Sequence, residues 1–202
     1  VAQGYNNPIY MTYPSLELID INLNDAWKNE SKNYVVPRFT RENICETFNL
    51  MKGCAFKKVI KPHKNISITF FSNGHMVGAA MIEIVISYPG REDIRILFTG
   101  DYKGKNIFFP VEKLPQSHIS KPYSAIFCES TYGNIDSSHE KFQPHFISDI
   151  TEALKNQKKV VIPSFAIERA QELLYYFKYM QDNNFISSEI EIWLAGSTAM
   201  ET

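Results

Sequence analysis

The chain has 202 residues, of which 44% are hydrophobic, and a formal net charge of -1 at pH 7. This content is enough to fill a globular core, so extensive disorder is excluded, and the near-zero charge gives no global signal for or against a polyanionic partner. The three cysteines form no Cys-x-x-Cys pair and are odd in number, which argues against a zinc knuckle and a disulfide framework.

The first elements are a short strand and two stretches of helical character. Residues 8–12 predict a strand, and residues 16–27 mix apolar and acidic side chains in a pattern compatible with a helix. Thr40 is a suitable N-cap, because its hydroxyl can accept a hydrogen bond from a free backbone amide. Apolar residues recur after it at helical spacing, at Ile44, Phe48 and Met51.

A β-rich region follows this helix. Residues 66–71, 80–88 and 94–98 are rich in β-branched and aromatic side chains and are separated by turns at 73–74 and 89–90. The second and third of these strands are expected to form an antiparallel hairpin.

The last part of the chain alternates between the two kinds of element. A strand at 124–128 is followed by a helix at 145–156, a strand at 160–162, a helix at 166–181 and a strand at 190–194. This order predicts a parallel βαβ unit. Three apolar residues are expected to form the buried stripe of its second helix, namely Leu173, Leu174 and Phe177.

The change of pattern near residue 140 predicts a domain boundary, with one domain at 1–139 and the start of another at 140–202. Because there is no initiating methionine, we expect a piece of a longer polypeptide. No apolar run approaches the roughly 18 to 20 residues that span a bilayer, and no signal peptide is apparent, so a cytoplasmic protein without membrane contact is expected.

Two residues stand in tight turns beside apolar strands. His75 lies between Gly74 and Gly78, and Asp101 follows Gly100. Such turns can present an imidazole and a carboxylate as metal ligands on a rigid sheet. Taken singly, each residue is more typical of an ordinary polar turn, and the two become informative only together. The other four histidines are predicted to be surface residues, at positions 63, 118, 139 and 145.

Four motifs occur in a characteristic order. They are Gly-His-x-x-Gly-Ala-Ala-Met-Ile at 74–82, Phe-Thr-Gly-Asp-Tyr at 98–102, Glu-Ser-Thr-Tyr-Gly at 129–133 and Ile-Pro-Ser-Phe-Ala-x-x-Arg-Ala-Gln-Glu-Leu at 162–173. Together they resemble the β-CASP branch of the metallo-β-lactamase fold, especially nucleases of the cleavage and polyadenylation specificity factor type and their prokaryotic relatives. The resemblance implies an α/β fold: the C-terminal part of an αββα sandwich, then the start of an α/β β-CASP domain.

The resemblance also implies roles for individual residues. His75 would bind one zinc ion, and Asp101 would bridge two, which makes it both a metal ligand and a catalytic residue. Glu129 would orient a histidine that protonates the leaving group. The family's His-x-His-x-Asp-His motif would precede Val1, and its last two histidine motifs would follow Thr202, so this chain is expected to hold only part of the site and to be inactive alone.

Three further residues are expected to contact substrate. Ser130 and Tyr132 share the motif of Glu129. Arg169 lies near the start of a predicted helix, where free backbone amides and the helix dipole favour a phosphate. Arg169 also has Glu168 and Glu172 beside it, so a solvated helix face is an equally open interpretation.

The function implied by the resemblance is a zinc-dependent phosphodiesterase that cleaves RNA by attack of a hydroxide held between two metal ions. Glu rather than Asp at position 129 favours the RNA-processing group over the DNA-repair branch. Alternatives are a non-catalytic RNA-binding or scaffold paralogue, a DNA-repair nuclease and a small-molecule metallo-hydrolase. RNA is the expected partner, with a homodimer or subunits of a processing complex as open alternatives for protein partners.

Overall fold

The structure is a computed structural model that describes residues 1–33, 36–134 and 142–201. The chain divides into two compact units, Val1–Glu129 and Ser130–Thr202. The boundary expected between residues 139 and 140 lies outside the described residues, so it stays a prediction. Within the described ranges no helix is both long and apolar enough to cross a bilayer.

The first unit begins with a parallel pair of strands and two helices. Strand β1 (Ile9–Thr12) pairs with β2 (Met51–Cys54), and between them lie α1 (Tyr13–Asn33) and α2 (Arg41–Leu50). The predicted strand at 8–12 is confirmed, and α1 extends well beyond the segment for which a helix was considered. Strand β2 was not predicted, because its four residues have no alternating pattern.

The start of α2 is fixed by the predicted cap. The Thr40 hydroxyl accepts from the Asn43 amide, and the Asn43 side chain accepts from the Thr40 amide at 3.1 Å, which forms a capping box. Ile44 on the inner face of the helix is buried. The predicted N-cap and the inward position of Ile44 are confirmed.

A five-stranded sheet forms the rest of the first unit. Its strands, in spatial order, are β3 (Ile60–His63), β4 (Ile66–Ser72), β5 (Ala80–Ile86), β6 (Ile94–Phe98) and β7 (Ala125–Phe127). Neighbours are antiparallel from β3 to β6, whereas β7 runs parallel to β6. The predicted hairpin is β5 with β6. The mixed sheet and helices confirm the predicted α/β class.

A buried charged cluster attaches the segment around α3 (Gln116–Ile119) to this sheet. The Glu83 carboxylate accepts from the Arg95 guanidinium and from the Tyr123 hydroxyl at 2.8 Å, and its other oxygen lies 2.8 Å from His118 Nδ1. Arg95 also donates to the carbonyl of His118 at 3.0 Å. The prediction of His118 as a surface residue is wrong, because this carboxylate holds its ring against the sheet.

The cluster has a defined protonation state. Burial raises the pKa of Glu83, but hydrogen bonds from Tyr123, Arg95 and His118 outweigh burial, so the net pKa is below its usual value of 4.5. Burial, followed by the hydrogen bond to Glu83, raises the pKa of Tyr123 to about 12. At neutral pH a charged carboxylate therefore accepts from a neutral phenol.

The second unit is helical in the residues that the structure describes. It contains α4 (Phe142–Lys155), α5 (Arg169–Asp182) and α6 (Ser197–Glu201). Its core is built on three buried residues, Ile150, Met180 and Ile186.

Helix α5 begins three residues later than predicted. Phe177 packs on the core as expected and Leu173 is half-buried, but Leu174 is exposed. Leu174 faces outward because the inward face follows the 3.6-residue period through Ala170 and Met180, which are buried.

The two strands predicted in this unit, at 160–162 and 190–194, are absent from its described residues. A strand persists only where its amides and carbonyls pair with a neighbouring strand, and neither segment has such a neighbour among the described residues. Val161 and Trp193 are consequently left largely exposed. The predicted parallel βαβ unit is therefore wrong for the described part of the chain.

Candidate metal centre

Three turns meet at one edge of the five-stranded sheet. They follow β4, β6 and β7, and they carry His75, Asp101 and Glu129 respectively. Because β5 is antiparallel to both β4 and β6, those two strands point in the same direction, and β7 is parallel to β6. The carboxyl ends of all three strands therefore lie at the same edge.

The two predicted metal ligands face each other at this edge. His75 Nε2 lies 4.0 Å from Asp101 Oδ2, and both side chains are accessible, 37% and 68% exposed. Two ligand atoms on a tetrahedral zinc ion lie about 3.4 Å apart at usual bond lengths, so a small rotation of exposed side chains would bring them to one ion. The pair fits part of a zinc site.

The pair does not form a complete site by itself. Within the described ranges, no group of three or more His, Cys, Asp or Glu side chains is placed to hold a metal ion. A tetrahedral zinc ion needs four ligands, some of which can be water. Zinc binding by His75 and Asp101 thus stays a prediction that the placement of the two residues supports.

Two glycines shape the His75 turn. Gly74 has φ +75°, and a Cβ added there would lie 2.6 Å from the Lys103 carbonyl oxygen. Gly78 has φ +85°, and its added Cβ would lie 2.7 Å from the Ser15 amide nitrogen. The Gly78 carbonyl accepts from the Thr12 hydroxyl at 2.7 Å, which joins this turn to β1. Backbone conformation and space both require glycine at these positions.

A buried asparagine connects the two ligand-bearing turns. Asn73 is 2% exposed; its Nδ2 donates to the Thr99 carbonyl at 3.1 Å, and its Oδ1 accepts from the His75 amide at 3.1 Å. In the sequence Asn73 is recognisable only as a turn residue. The bond to His75 is typical of asparagine in turns, whereas no sequence signal marks the partner 26 residues away.

A hydrogen bond also links Glu129 to the segment that carries Asp101. Its amide donates to the Thr99 hydroxyl at 3.2 Å, and Thr99 lies two residues before Asp101. A hydrogen bond with the Cys128 thiol is the main cause that raises the pKa of Tyr102, and the charge of Glu129 adds to the shift. Glu129 is therefore close to the turn that carries Asp101, but its predicted catalytic role has not been tested.

The three predicted substrate-binding residues belong to the second unit. The Ser130 carbonyl closes a turn by accepting from the Gly133 amide at 3.0 Å, and Tyr132 is 64% exposed. Arg169 is the first residue of α5, and its guanidinium forms an ion pair with Glu172. A phosphate would have to compete with this carboxylate, so substrate binding by Arg169 stays a prediction.

The fold and the turns define an α/β protein with candidate metal ligands at strand ends. No family model matches the chain. Three similar proteins are an RNase J-like protein of Methanocaldococcus jannaschii, Integrator complex subunit 11 of Danio rerio, and cleavage and polyadenylation specificity factor subunit 3-II of Arabidopsis thaliana.

These similarities cover most of the chain. The first relative is 29% identical over 202 residues (94% of this chain, 42% of the relative), the second 31% over 173 residues (84% and 27%) and the third 29% over 178 residues (84% and 27%). The chain is therefore related to the β-CASP branch of the metallo-β-lactamase fold, as its four motifs predicted. It spans less than half the length of each of these relatives.

Proposed function

We propose that this protein is a zinc-dependent phosphodiesterase that cleaves RNA. The observation that carries the proposal is the approach of His75 and Asp101 to 4.0 Å at the sheet edge that also carries Glu129. RNA is favoured over DNA because one relative is named RNase J-like and another a cleavage and polyadenylation specificity factor subunit.

In this proposal His75 and Asp101 would hold zinc, and the two carboxylate oxygens of Asp101 would be available to two ions. Bound zinc would supply an activated water and offset the negative charge that develops on the phosphodiester. Glu129, whose amide donates to the Thr99 hydroxyl two residues before Asp101, would orient the group that protonates the leaving oxygen.

The second unit would supply contacts to the RNA. The exposed Tyr132 ring can stack on a base, and the neighbouring Ser130 hydroxyl can donate to a phosphate. Arg169 would bind a phosphate by exchanging its partner Glu172 for the ligand. RNA is then the main partner, and self-association or membership of a processing complex would be additional properties of the whole protein.

A non-catalytic RNA-binding protein is the second candidate. Such a protein would bind RNA without metal, for example by stacking a base on the exposed Tyr132 ring. The two candidates differ in whether metal and cleavage accompany RNA binding.

The decisive experiment compares Asp101→Ala with Asp93→Ala in the full-length protein. Asp93 is an exposed carboxylate just before β6, at the opposite end of that strand, so it is a matched control. We expect Asp101→Ala to lose both zinc, measured by elemental analysis, and cleavage of single-stranded RNA, while Asp93→Ala keeps both. Wild-type zinc content in Asp101→Ala would show that Asp101 is not a ligand, and RNA binding without zinc or cleavage would favour the second candidate.

Glu129→Gln separates an orienting role from a ligand role. We expect slower cleavage with zinc content near that of the wild type, because the amide keeps the shape of the side chain but not its charge. Loss of zinc would instead make Glu129 a ligand. A parallel assay on single-stranded DNA tests the choice of polymer.

The 202-residue chain by itself is expected to bind zinc weakly and to be inactive. Vigorous RNA cleavage by this chain that a chelator abolishes would contradict the proposal that it holds only part of the site.

A further inference from the structure

We propose that Asn73 is a positioning residue that sets the separation of His75 and Asp101 through a single side chain. This inference rests on the proposed function, because it assumes that the two residues act together. It concerns a residue that touches neither metal nor substrate.

Only one orientation of the Asn73 side-chain amide satisfies both of its hydrogen-bond partners. The Thr99 carbonyl can only accept and the His75 amide can only donate, so Nδ2 must face Thr99 and Oδ1 must face His75, as observed. One rigid planar amide thereby spans the turn that carries His75 and the turn that carries Asp101.

The main chain of Asn73 is equally engaged. Its amide donates to the Ala79 carbonyl at 3.3 Å, which closes the His75 turn, and its carbonyl accepts from the Lys103 amide at 3.0 Å, just after Asp101. Asn73 therefore bonds to segments on both sides of the His75–Asp101 pair. Because the residue is almost fully buried, these hydrogen bonds are shielded from exchange with solvent.

Other side chains cannot do the same. Aspartate keeps the acceptor for the His75 amide but places an oxygen against the Thr99 carbonyl. Alanine removes both bonds and leaves the buried Thr99 carbonyl and the part-buried His75 amide without these partners. Glutamine is one methylene longer, so its amide cannot occupy the same position in a close-packed site.

The Thr99 side chain extends the arrangement to the third turn. The Thr99 carbonyl accepts from Asn73, and its hydroxyl accepts from the Glu129 amide at 3.2 Å. Asn73 thus acts on Glu129 only through Thr99. We therefore expect a substitution of Asn73 to affect the position of Glu129 less than that of Asp101.

The first test needs no metal. Backbone ¹⁵N relaxation of the metal-free full-length protein is measured for the wild type, Asn73→Ala, Asn73→Asp and Asn106→Ala. Asn106 is the matched control, because its side chain donates to the Gly74 carbonyl at 3.2 Å and so also supports the His75 turn, whereas the bonds described for it go to Gly74 and Phe108 and not to Thr99. We expect Asn73→Ala to increase motion at 74–76 and at 99–102, and Asn73→Asp chiefly at 99–102. Asn106→Ala should increase motion near residue 74 and near Phe108, whose amide donates to the Asn106 side chain at 2.8 Å, but not at 99–102.

The second test measures zinc affinity of the full-length protein. Loss of a residue that orients ligands typically weakens metal affinity by about 10- to 100-fold, and we expect this for Asn73→Ala, a smaller loss for Asn73→Asp and none for Asn106→Ala. Urea unfolding of each variant shows whether an affinity change merely follows global stability. If Asn73→Ala does not fold, both measurements are made on Asn73→Asp instead.

Equal motion in the wild type and the Asn73 variants, or equal effects of Asn73→Ala and Asn106→Ala, would overturn the inference. A wild-type protein that binds no zinc would instead refute the proposed function. The relaxation data would then still decide whether Asn73 holds the two turns together, so the two failures are distinguishable.

Discussion

Removing the Glu83 carboxylate tests the energetics of the first unit most directly. Glu83 is 2% exposed and is the counter-ion of Arg95, which is itself 8% exposed. In Glu83→Ala the Arg95 guanidinium, which stays charged in proteins, loses its partner inside the protein. The hydroxyl of Tyr123 and the ring of His118 lose the same acceptor.

The magnitude follows from the cost of an uncompensated buried charge. Removing one member of a buried ion pair costs about 3 to 5 kcal/mol, whereas replacing both members with apolar residues of similar size can be nearly neutral. We therefore expect Glu83→Ala to lower the free energy of unfolding by about 4 kcal/mol, and Glu83→Met combined with Arg95→Met to lower it by less. Glu112→Ala, which breaks the exposed pair with Lys57 in the same unit, is the control and should have little effect.

The assay is urea unfolding followed by the fluorescence of Trp27, which lies in α1 of the first unit, with Trp193 replaced by phenylalanine. The folded-state pKa of Glu83 lies below its usual 4.5, so its stabilising contribution is present above that pH and is lost as the pH falls through the folded-state pKa. This acid-dependent loss of stability should be absent in Glu83→Gln, because glutamine does not titrate. If Glu83→Ala lowers the free energy of unfolding by less than about 1 kcal/mol, the reasoning is refuted, because this loss is far below the cost of a buried unpaired charge.

Three further substitutions test local features by urea unfolding. Gly74→Ala should cost clearly more than Gly90→Ala, because both have positive φ but only the Cβ at 74 meets backbone, 2.6 Å from the Lys103 carbonyl; equal costs would contradict this. Thr40→Ala should lower stability by about 1 kcal/mol, and serine should restore it. Gln157→Gly should raise the stability of the second unit by about 1 kcal/mol, since residue 157 has φ +53° just after α4; a decrease would refute this.

Local signals predicted much of the first unit. The Thr40 cap acts within one helical turn, and the β5–β6 hairpin is set by alternating strands joined by a short turn with glycine. In both cases the residues that determine the structure are neighbours in the chain. Their preferences can therefore be judged without knowledge of the remaining fold.

Long-range partners could not be predicted in this way. His118 has the features of a loop histidine until it meets Glu83, which is 35 residues away. The pairing of β1 with β2 joins Ile9 to Met51 across two helices. The strands expected at 160–162 and 190–194 fail for the same reason, since apolar β-branched residues form a strand only when another strand is available to pair with them.

The candidate site lies between these two cases. His75 and Asp101 could be selected because each stands in a short glycine-containing turn, and the antiparallel β4–β5–β6 order then requires both turns to lie at one edge. The strand order brings the two side chains to the same edge, but it does not fix the distance between them to within several ångströms. The separation is set by contacts such as the one between Asn73 and Thr99, in which a common turn residue acquires a specific partner only after folding. The sequence can thus indicate which residues form a site, whereas the precision that metal binding demands depends on buried polar groups that are recognisable only in the structure.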